Sequence, residues 1–208
     1  MQKRTPQEIE RSAIRKMTLN IVPLMILLYF LAFLDRNNMA YAAIALEDSL
    51  GLTATAFGFA SGIFFIGYFM FEIPSNAGTI KFGPRIWFAR ILITWGIFAV
   101  LMGFVRTPME LYICRFMLGV CEAGFFPSVV YYFTVFFPEK YRTKILGMFI
   151  IVQPLSNAIG SPISGLILNV EHGWFGLEPW QWLFILEGIP PVIIGLFIPF
   201  LIKNSPKD

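Results

Sequence analysis

Four charged side chains stand within long, largely apolar runs of the sequence. Asp35 and Arg36 follow the run 19–34, and Arg115 and Glu122 are seven residues apart in another run. Because seven residues make about two turns of an α-helix, Arg115 and Glu122 project from the same helical face. Ionisable groups in apolar surroundings are costly, and they commonly mark the path of an ion or a substrate.

These four groups could bind an anion and a proton interdependently. The planar guanidinium of an arginine binds a carboxylate through two parallel hydrogen bonds. If Asp35 or Glu122 neutralises an arginine, a proton that binds to the acid frees that arginine for an incoming anion. A symporter requires this behaviour. The alternative is a set of structural ion pairs that fixes the packing of the helices.

Uncharged polar side chains in the apolar runs are further candidates for substrate contact. Tyr29 and Asn38 lie in the same run as Arg36, and Gln153 and Asn157 lie one helical turn apart in a later run. Their polar groups could hydrogen-bond a substrate hydroxyl or join two helices, and both interpretations stay open. Two more acids in apolar runs, Glu72 and Glu187, each precede an Ile-Pro pair by one or two residues, and we predict structural roles for them.

The composition indicates that membrane-spanning helices position these residues. Apolar residues make up 57% of the 208, charged residues only 14%, and the mean hydropathy is +0.69. Soluble domains carry about 25% charged residues, so a soluble globule, a disordered chain and a nucleic-acid-binding domain are all disfavoured. Helix is the expected state in lipid, because lipid offers backbone groups no hydrogen-bond partner. Six runs approach or exceed the roughly 20 residues that cross a bilayer: about 18–45, 56–79, 87–105, 110–136, 145–168 and 182–202.

The basic residues predict the orientation of the six spans. Of the 16 Lys and Arg residues, 13 fall in the two termini and in the second and fourth connections, and Arg106 alone falls in the others. By the positive-inside rule, both termini face the cytoplasm. We predict a cytoplasmic tail at 1–17, with a short interfacial helix at 5–16, and a six-helix transmembrane bundle at 18–202.

The sequence supports neither an enzyme nor a metal protein. The single histidine, His172, falls in a predicted external connection, so a histidine-based triad or metal site is unsupported. Cys114 and Cys121 are seven residues apart on one predicted helix, about 10.5 Å along its axis, and cannot pair with each other. No Walker-type phosphate loop is present. We expect no catalytic residue, no metal, no cofactor and no nucleic-acid partner.

Six segments occur in an order that is typical of one transporter family. They are FLDRNN at 33–38, GFASGIFFIGYFMFEIPSN at 58–76, RFMLGVCEAGFFP at 115–127, GSPISG at 160–165, WQWLFILEGIP at 180–190 and SPKD at 205–208. The sequence resembles the major facilitator superfamily and, within it, the tartrate-transporter-like branch of the anion:cation symporter family. The similarity extends over essentially the whole chain.

The resemblance implies an all-α membrane protein that is the N-terminal half of a twelve-helix fold. That half contains two inverted three-helix repeats, and substrate is held at mid-membrane between it and a C-terminal six-helix half. The chain would end at 203–208, where the central cytoplasmic loop starts, and the missing half would be its partner. The resemblance assigns carboxylate recognition to Arg36 and proton coupling to Asp35 and Glu122, and Arg115 matches an arginine of the fourth-span motif.

The resemblance is partial in the connection between the second and third spans. Lys81, Gly83 and Arg85 match the superfamily's cytoplasmic gating-loop motif, but Asn76 and Ile80 replace its usual glycine and acid. The loop therefore lacks the acid that the motif's charge lock uses.

The function expected from the resemblance is transport across the cell (inner) membrane. The preferred hypothesis is proton-coupled symport of a small organic anion, namely a tartrate-like hydroxy-dicarboxylate or a sugar acid, with an aromatic carboxylate as the rival substrate. The partners would be that anion, protons and the lipid bilayer. The alternative function is a non-transporting half-transporter that acts as a ligand-binding or assembly module.

Overall fold

The computed structural model describes residues 5–169 and 174–206, and these residues form an all-helical bundle. His172 and the predicted basic positions Lys3, Arg4 and Lys207 lie outside the described residues. The α-helices are α1 Pro6–Tyr41, α2 Ala43–Leu50, α3 Ala54–Phe82, α4 Pro84–Met102, α5 Pro108–Glu122, α6 Phe125–Phe136, α7 Glu139–Ile150, α8 Val152–Asn169 and α9 Pro179–Leu201. A short 3₁₀ turn, Trp174–Gly176, precedes α9.

The helices make six candidate spans that are long and apolar enough to cross a membrane. They are Gln7–Tyr41, Ala54–Phe82, Pro84–Met102, Pro108–Phe136, Glu139–Asn169 and Pro179–Leu201. Each overlaps one of the six spans predicted from the sequence, so the predicted six-helix architecture is confirmed. α5 and α6 together form the fourth span, and α7 and α8 form the fifth.

Helix α1 begins before the predicted first span. The Thr5 hydroxyl accepts a hydrogen bond from the backbone N–H of Glu8 at 3.3 Å, and the Glu8 carboxylate accepts one from the Thr5 N–H at 2.8 Å. This capping box satisfies backbone donors at the helix start. The helix continues without interruption to Tyr41, so the predicted interfacial helix at 5–16 and the first span are one element. The prediction of a separate helix was wrong here, because the cap starts a helix that nothing interrupts.

The fourth span is interrupted directly after Glu122. Ala123 has an extended backbone (φ −52°, ψ 137°), and Gly124 adopts the left-handed region (φ 81°) before α6 begins. A Cβ atom at Gly124 would lie 2.5 Å from the Ser75 hydroxyl oxygen on α3. Both the backbone angle and the closeness of α3 therefore require glycine at this position.

The helix packing has the symmetry that two inverted repeats require. The first span packs on the fifth, the second on the fourth, the third on the sixth, the third on the fourth and the first on the sixth. Exchanging spans 1, 2 and 3 with spans 4, 5 and 6 leaves this set of pairs unchanged. Successive spans run in opposite directions, so spans three apart are inverted relative to each other.

Contacts between connections define two ends of the bundle. At one end, which we call the basic end (residues 5–16, 83–85, 137–141 and 202–206), Tyr141 donates a hydrogen bond to Glu10 at 3.1 Å, and the backbone N–H of Arg85 donates to the Asn204 side chain at 3.1 Å. At the opposite end (residues 51–53, 103–107 and 174–178), Ser49 donates to Glu178 at 2.6 Å. Both described termini therefore lie at the same end as the second and fourth connections.

Close backbone approach holds α3 against α5. A Cβ atom at Gly119 on α5 would collide with the Phe64 carbonyl oxygen on α3, and one at Gly67 on α3 would collide with the Phe116 carbonyl oxygen on α5. The two glycines therefore permit a reciprocal contact of the two backbones. This crossing places the Phe64 ring beside Arg36 and Arg115.

We expect Gly119→Ala to destabilise the bundle. The added methyl group must displace a backbone rather than a flexible side chain, and overpacking of this kind costs about 1–3 kcal/mol. The control is Gly147→Ala on α7, where a Cβ would have no neighbour within 4 Å and alanine favours the helix. Thermal unfolding in detergent should show a lower midpoint for Gly119→Ala and an equal or higher one for Gly147→Ala. Equal midpoints for the two variants would contradict the close packing of α3 and α5.

Candidate functional site

An ion pair between the first and fourth spans is the centre of the candidate site. The Nε–H of Arg36 donates to Glu122 Oε1 at 2.8 Å, and Arg36 Nη2 lies 2.6 Å from the same oxygen. The Glu122 side chain is fully buried, whereas that of Arg36 is 21% exposed. The pair therefore joins a buried acid to a cation that can still be reached.

The break in the fourth span explains where Glu122 lies. Glu122 is the last residue of α5, and the non-helical residues Ala123 and Gly124 separate it from α6. The C-terminus of a helix carries a partial negative charge, which favours a cation such as Arg36 nearby. Glu122 Oε2 has no hydrogen-bond partner among the described residues. One oxygen of the acid therefore holds the arginine while the other stays unsatisfied.

Aromatic rings surround the Arg36 guanidinium. Its carbon lies 4.8 Å from the ring centre of Tyr68, 5.3 Å from that of Phe33 and 5.7 Å from that of Phe64. Cation–π contacts of this kind stabilise a guanidinium where water is scarce. The arginine can therefore keep its charge in the apolar bundle without a second acid.

Arg115 lies close to Arg36 but makes no ion pair within the described part of the chain. Its guanidinium carbon is 4.9 Å from the ring centre of Phe64, and its Nε–H donates to the Ala60 carbonyl at 3.4 Å. The residue is 3% exposed, and its Nη1 has no hydrogen-bond partner there. A buried cation is therefore left with unused donors.

Asp35 does not pair with an arginine. It is fully buried, and its Oδ2 accepts a hydrogen bond from the indole Nε1–H of Trp95 on α4 at 3.0 Å. Its Oδ1 has no partner in the described residues. The charged side chains of Glu122, Arg115 and Glu187 are close enough to interact electrostatically with the Asp35 carboxylate.

A small pocket gives access to both arginines. It has a volume of about 140 Å³ and lies between α1, α3 and α5. Arg36 and Arg115 line it together with Ser61 and the rings of Phe57, Phe64 and Phe65, as well as Met39 and Ala40. Two cations, one hydroxyl group and aromatic walls suit a small anion with an apolar or hydroxylated body.

The uncharged candidates Tyr29 and Asn38 do not line the pocket. Tyr29 packs among aromatic rings, with its ring centre 4.2 Å from that of Phe149. Asn38 is fully buried and lies against the Glu187 carboxylate, but neither of its amide atoms has a hydrogen bond of good geometry within the described residues.

The two amides of the fifth span lie on an outer surface. Gln153 and Asn157 are both exposed on α8. The Asn157 Oδ1 accepts a hydrogen bond from Asn37 Nδ2 at 2.7 Å, which joins the first and fifth spans.

The predicted gating loop lies at the basic end. Gly83 separates α3 from α4, and the backbone N–H of Arg85 donates to the side chain of Asn204 at 3.1 Å. The Lys81 ammonium lies 5.4 Å from the ring centre of Phe82. The loop is therefore tied to the segment that follows α9, by the amide of Asn204 rather than by a charge pair.

Two residues of the buried polar network were missed by the sequence analysis. Trp95 donates to Asp35, and Ser164 donates to Glu187 at 3.1 Å. A signal for Trp95 was available, because a buried indole N–H needs an acceptor. Among the described residues no cluster of three or more His, Cys, Asp or Glu could hold a metal ion.

A protein-family model matches most of the chain. A model of the major facilitator superfamily matches residues 25–208. A protein of Agrobacterium vitis named "Putative tartrate transporter" is 47% identical over 96% of this chain and 46% of its own length. A "Quinolone resistance transporter" of Acinetobacter baumannii is 42% identical over 91% of this chain and 43% of its own length. The chain thus spans about half the length of the curated relatives it matches.

Solved structures show the same fold. A bacterial homologue of the human lysosomal transporter Spinster has a TM-score of 0.79 at 21% identity, over 89% of this chain and 44% of that one. The xylose transporter XylE of Escherichia coli has a TM-score of 0.76 at 15% identity, over 92% and 50%. The six spans therefore correspond to half of a transporter fold. With the family match over residues 25–208, the chain belongs to the major facilitator superfamily.

Proposed function

We propose that this chain is part of a secondary active transporter that carries a small organic anion together with protons. The observation that carries the proposal is the Arg36–Glu122 ion pair, in which a buried acid neutralises a partly exposed arginine. A proton on Glu122 removes its charge and weakens its hold on the guanidinium. Arg36 is then available to a substrate carboxylate in the adjoining pocket.

The charge balance of the site links the proton to the anion. With both acids ionised, Asp35 and Glu122 balance Arg36 and Arg115, and the four side chains carry no net charge. Each proton that binds leaves one positive charge in excess, which is costly in apolar surroundings. One carboxylate of a substrate restores the balance. Proton and anion therefore favour each other's binding, and Asp35 and Glu122 serve as the proton-coupling residues.

The pocket favours an anion with two carboxylates or with hydroxyl groups. Arg36 and Arg115 both line it, so two cations can face two carboxylates, and Ser61 offers a hydroxyl group. A tartrate-like hydroxy-dicarboxylate or a sugar acid matches these groups. The relatives at 46–47% identity are both named "Putative tartrate transporter", which supports the same substrate class. The rings of Phe57, Phe64 and Phe65 make an aromatic carboxylate the rival substrate.

The proposed set of substrate-contacting residues also includes four uncharged polar residues outside the pocket: Tyr29, Asn38, Gln153 and Asn157.

Transport requires a second six-helix bundle, which we propose covers the exposed face of this one. The amides of Gln153 and Asn157 are exposed on a membrane span, and beyond the bond from Asn37 to the Asn157 oxygen, lipid offers them no hydrogen-bond partner. A second bundle, or the aqueous cavity between two bundles, can. The substrate would bind between the two bundles, as in the family's fold.

As a superfamily member with six spans, the chain is a multi-pass membrane protein. We propose that it lies in the cell (inner) membrane with the basic end in the cytoplasm. Lys81, Gly83 and Arg85 would then form a cytoplasmic gating loop. The protein moves its substrate without changing it chemically, and is not an enzyme.

Arg36→Gln should abolish transport. In the complete transporter, the substrate carboxylate loses its charged partner, which costs about 2–5 kcal/mol, so uptake of the anion into proteoliposomes should fall about a hundredfold or more. Exchange of labelled for unlabelled anion should be lost as well, because the substrate has lost its carboxylate partner. Arg106→Gln, at an exposed arginine outside the spans, is the matched control and should transport normally. Uptake at the wild-type rate by Arg36→Gln would overturn the proposal.

Glu122→Gln should separate binding from proton coupling. The glutamine has nearly the same shape but binds no proton and carries no charge, so Arg36 stays available to the anion. We expect anion exchange to persist while uptake driven by a pH gradient is lost. Glu139→Gln, at an exposed acid in the first turn of α7, is the control. Gradient-driven uptake by Glu122→Gln would exclude this acid as a coupling residue.

Measurements on the wild-type protein distinguish a transporter from the alternative, a non-transporting half-transporter. Stabilisation by a hydroxy-dicarboxylate against thermal unfolding, without any uptake or exchange, would indicate a ligand-binding or assembly module instead of a transporter.

A further inference from the structure

We propose that Glu187 is a further proton-binding residue of the bundle, separate from the Arg36–Glu122 pair. The geometry that points to this is a buried carboxylate on α9 whose neighbours, Asn38 and Ser164, can each both donate and accept a hydrogen bond. The inference rests on the proposed function, because a third proton-binding acid affects transport only if transport is coupled to protons. It replaces the structural role that the sequence suggested for Glu187.

Glu187 lies where three helices meet. It is eight residues, about 12 Å, along α9 from the opposite end of the bundle, and only 6% exposed. Ser164 on α8 donates to its Oε1 at 3.1 Å, and Asn38 on α1 lies against the carboxylate. A Cβ atom at Gly188 would lie 2.7 Å from the backbone nitrogen of Val100, so α9 is pressed against α4 at this level.

The partners of Glu187 differ in kind from those of the other buried acids. Glu122 is held by Arg36 and Asp35 by the indole of Trp95, and both of those partners can only donate hydrogen bonds. A proton on such an acid weakens these bonds and adds an O–H donor that a donor-only partner cannot accept. An amide and a hydroxyl group can donate to a carboxylate and accept from a carboxylic acid. Glu187 can therefore change its protonation state and keep its neighbours satisfied.

Unused hydrogen-bonding groups around Glu187 can accommodate a proton. Among the described residues, Glu187 Oε2 and both amide atoms of the fully buried Asn38 lack a hydrogen bond of good geometry. Buried polar groups are normally paired. A proton on Oε2 supplies a donor for the Asn38 oxygen, and a rotation of the amide supplies a donor to the ionised form.

The charge balance supports the same assignment. The groups that face Glu187 from the helices packed against it are Asp35, Asn38 and Tyr41 on α1 and Ser164 on α8, while α4 presents Ala99 and Val100 beside Gly188. No cation is among these described neighbours. Because Asp35, Arg36, Arg115 and Glu122 already balance, an ionised Glu187 leaves one excess negative charge, and a bound proton removes it.

Infrared spectroscopy tests the proton site directly. It is carried out on the native protein, purified together with the proposed second bundle. A pH-difference spectrum of wild type should contain a carboxylic-acid C=O band that is absent from Glu187→Gln. Ser164→Ala should keep the band, because it removes a hydrogen bond but not the acid. Glu72→Gln, at a partly exposed acid of α3, should keep it as well. A difference spectrum of Glu187→Gln identical to that of wild type would overturn the proposal, whether or not the protein transports.

Transport measurements test the coupling. One coupled proton contributes a factor of about ten to anion accumulation for each unit of pH gradient. Glu187→Gln should therefore lower the accumulation ratio about tenfold in a gradient of one unit, with anion exchange within about twofold of wild type. If Arg36→Gln abolishes uptake but Glu187→Gln accumulates anion like wild type, this inference fails and the proposed function stands. If wild type shows no proton-driven uptake, the proposed function fails, and the infrared band still decides the proton site.

Discussion

The structure of the site depends on the cost of leaving a charge unneutralised inside an apolar bundle. Arg36 and Glu122 satisfy each other across two spans, and removing one partner of such a pair leaves an uncompensated charge that costs about 3–5 kcal/mol. The break after Glu122 and the rings around Arg36 serve this one contact. The Arg36 side chain is 21% exposed, so a second anion can reach the guanidinium and compete with Glu122 for it.

The inverted symmetry of the bundle distributes the charges evenly. The first span carries Asp35 and Arg36, and its counterpart, the fourth span, carries Arg115 and Glu122, so each contributes one acid and one cation. Each of the two acids takes its partner from another span: Glu122 pairs with Arg36, and Asp35 accepts a hydrogen bond from the indole of Trp95. Arg115 is left without an ion pair in the described residues, and that surplus donor capacity is what an anionic ligand can use.

The sequence predicts the spans well and the partners poorly, for a physical reason. Hydropathy and the positions of basic residues report the transfer of whole segments into lipid, and all six predicted spans have a counterpart. Side-chain partners depend on rotation about the helix axis and on breaks such as Ala123–Gly124, which the sequence around 122–127 does not specify. The sequence shows only that Asn38 is in the same run as Arg36, whereas the packing of the helices places it against Glu187. Asn157 likewise meets Asn37 on an outer surface.

The kinds of partner around each buried acid suggest a division of labour. Partners that only donate, such as a guanidinium or an indole, favour a carboxylate that stays charged until a competing anion or a structural change takes the partner away. Partners that donate and accept impose no such preference, so the acid they surround can gain or lose its proton without breaking contacts between helices. An acid that an arginine holds would couple a proton to a ligand, because the carboxylate and the anionic ligand compete for that arginine. An acid of the second kind is suited to hold a proton independently of the ligand. A bundle that contains both kinds can take up charge at one position and release it at another while the helices that carry them stay packed.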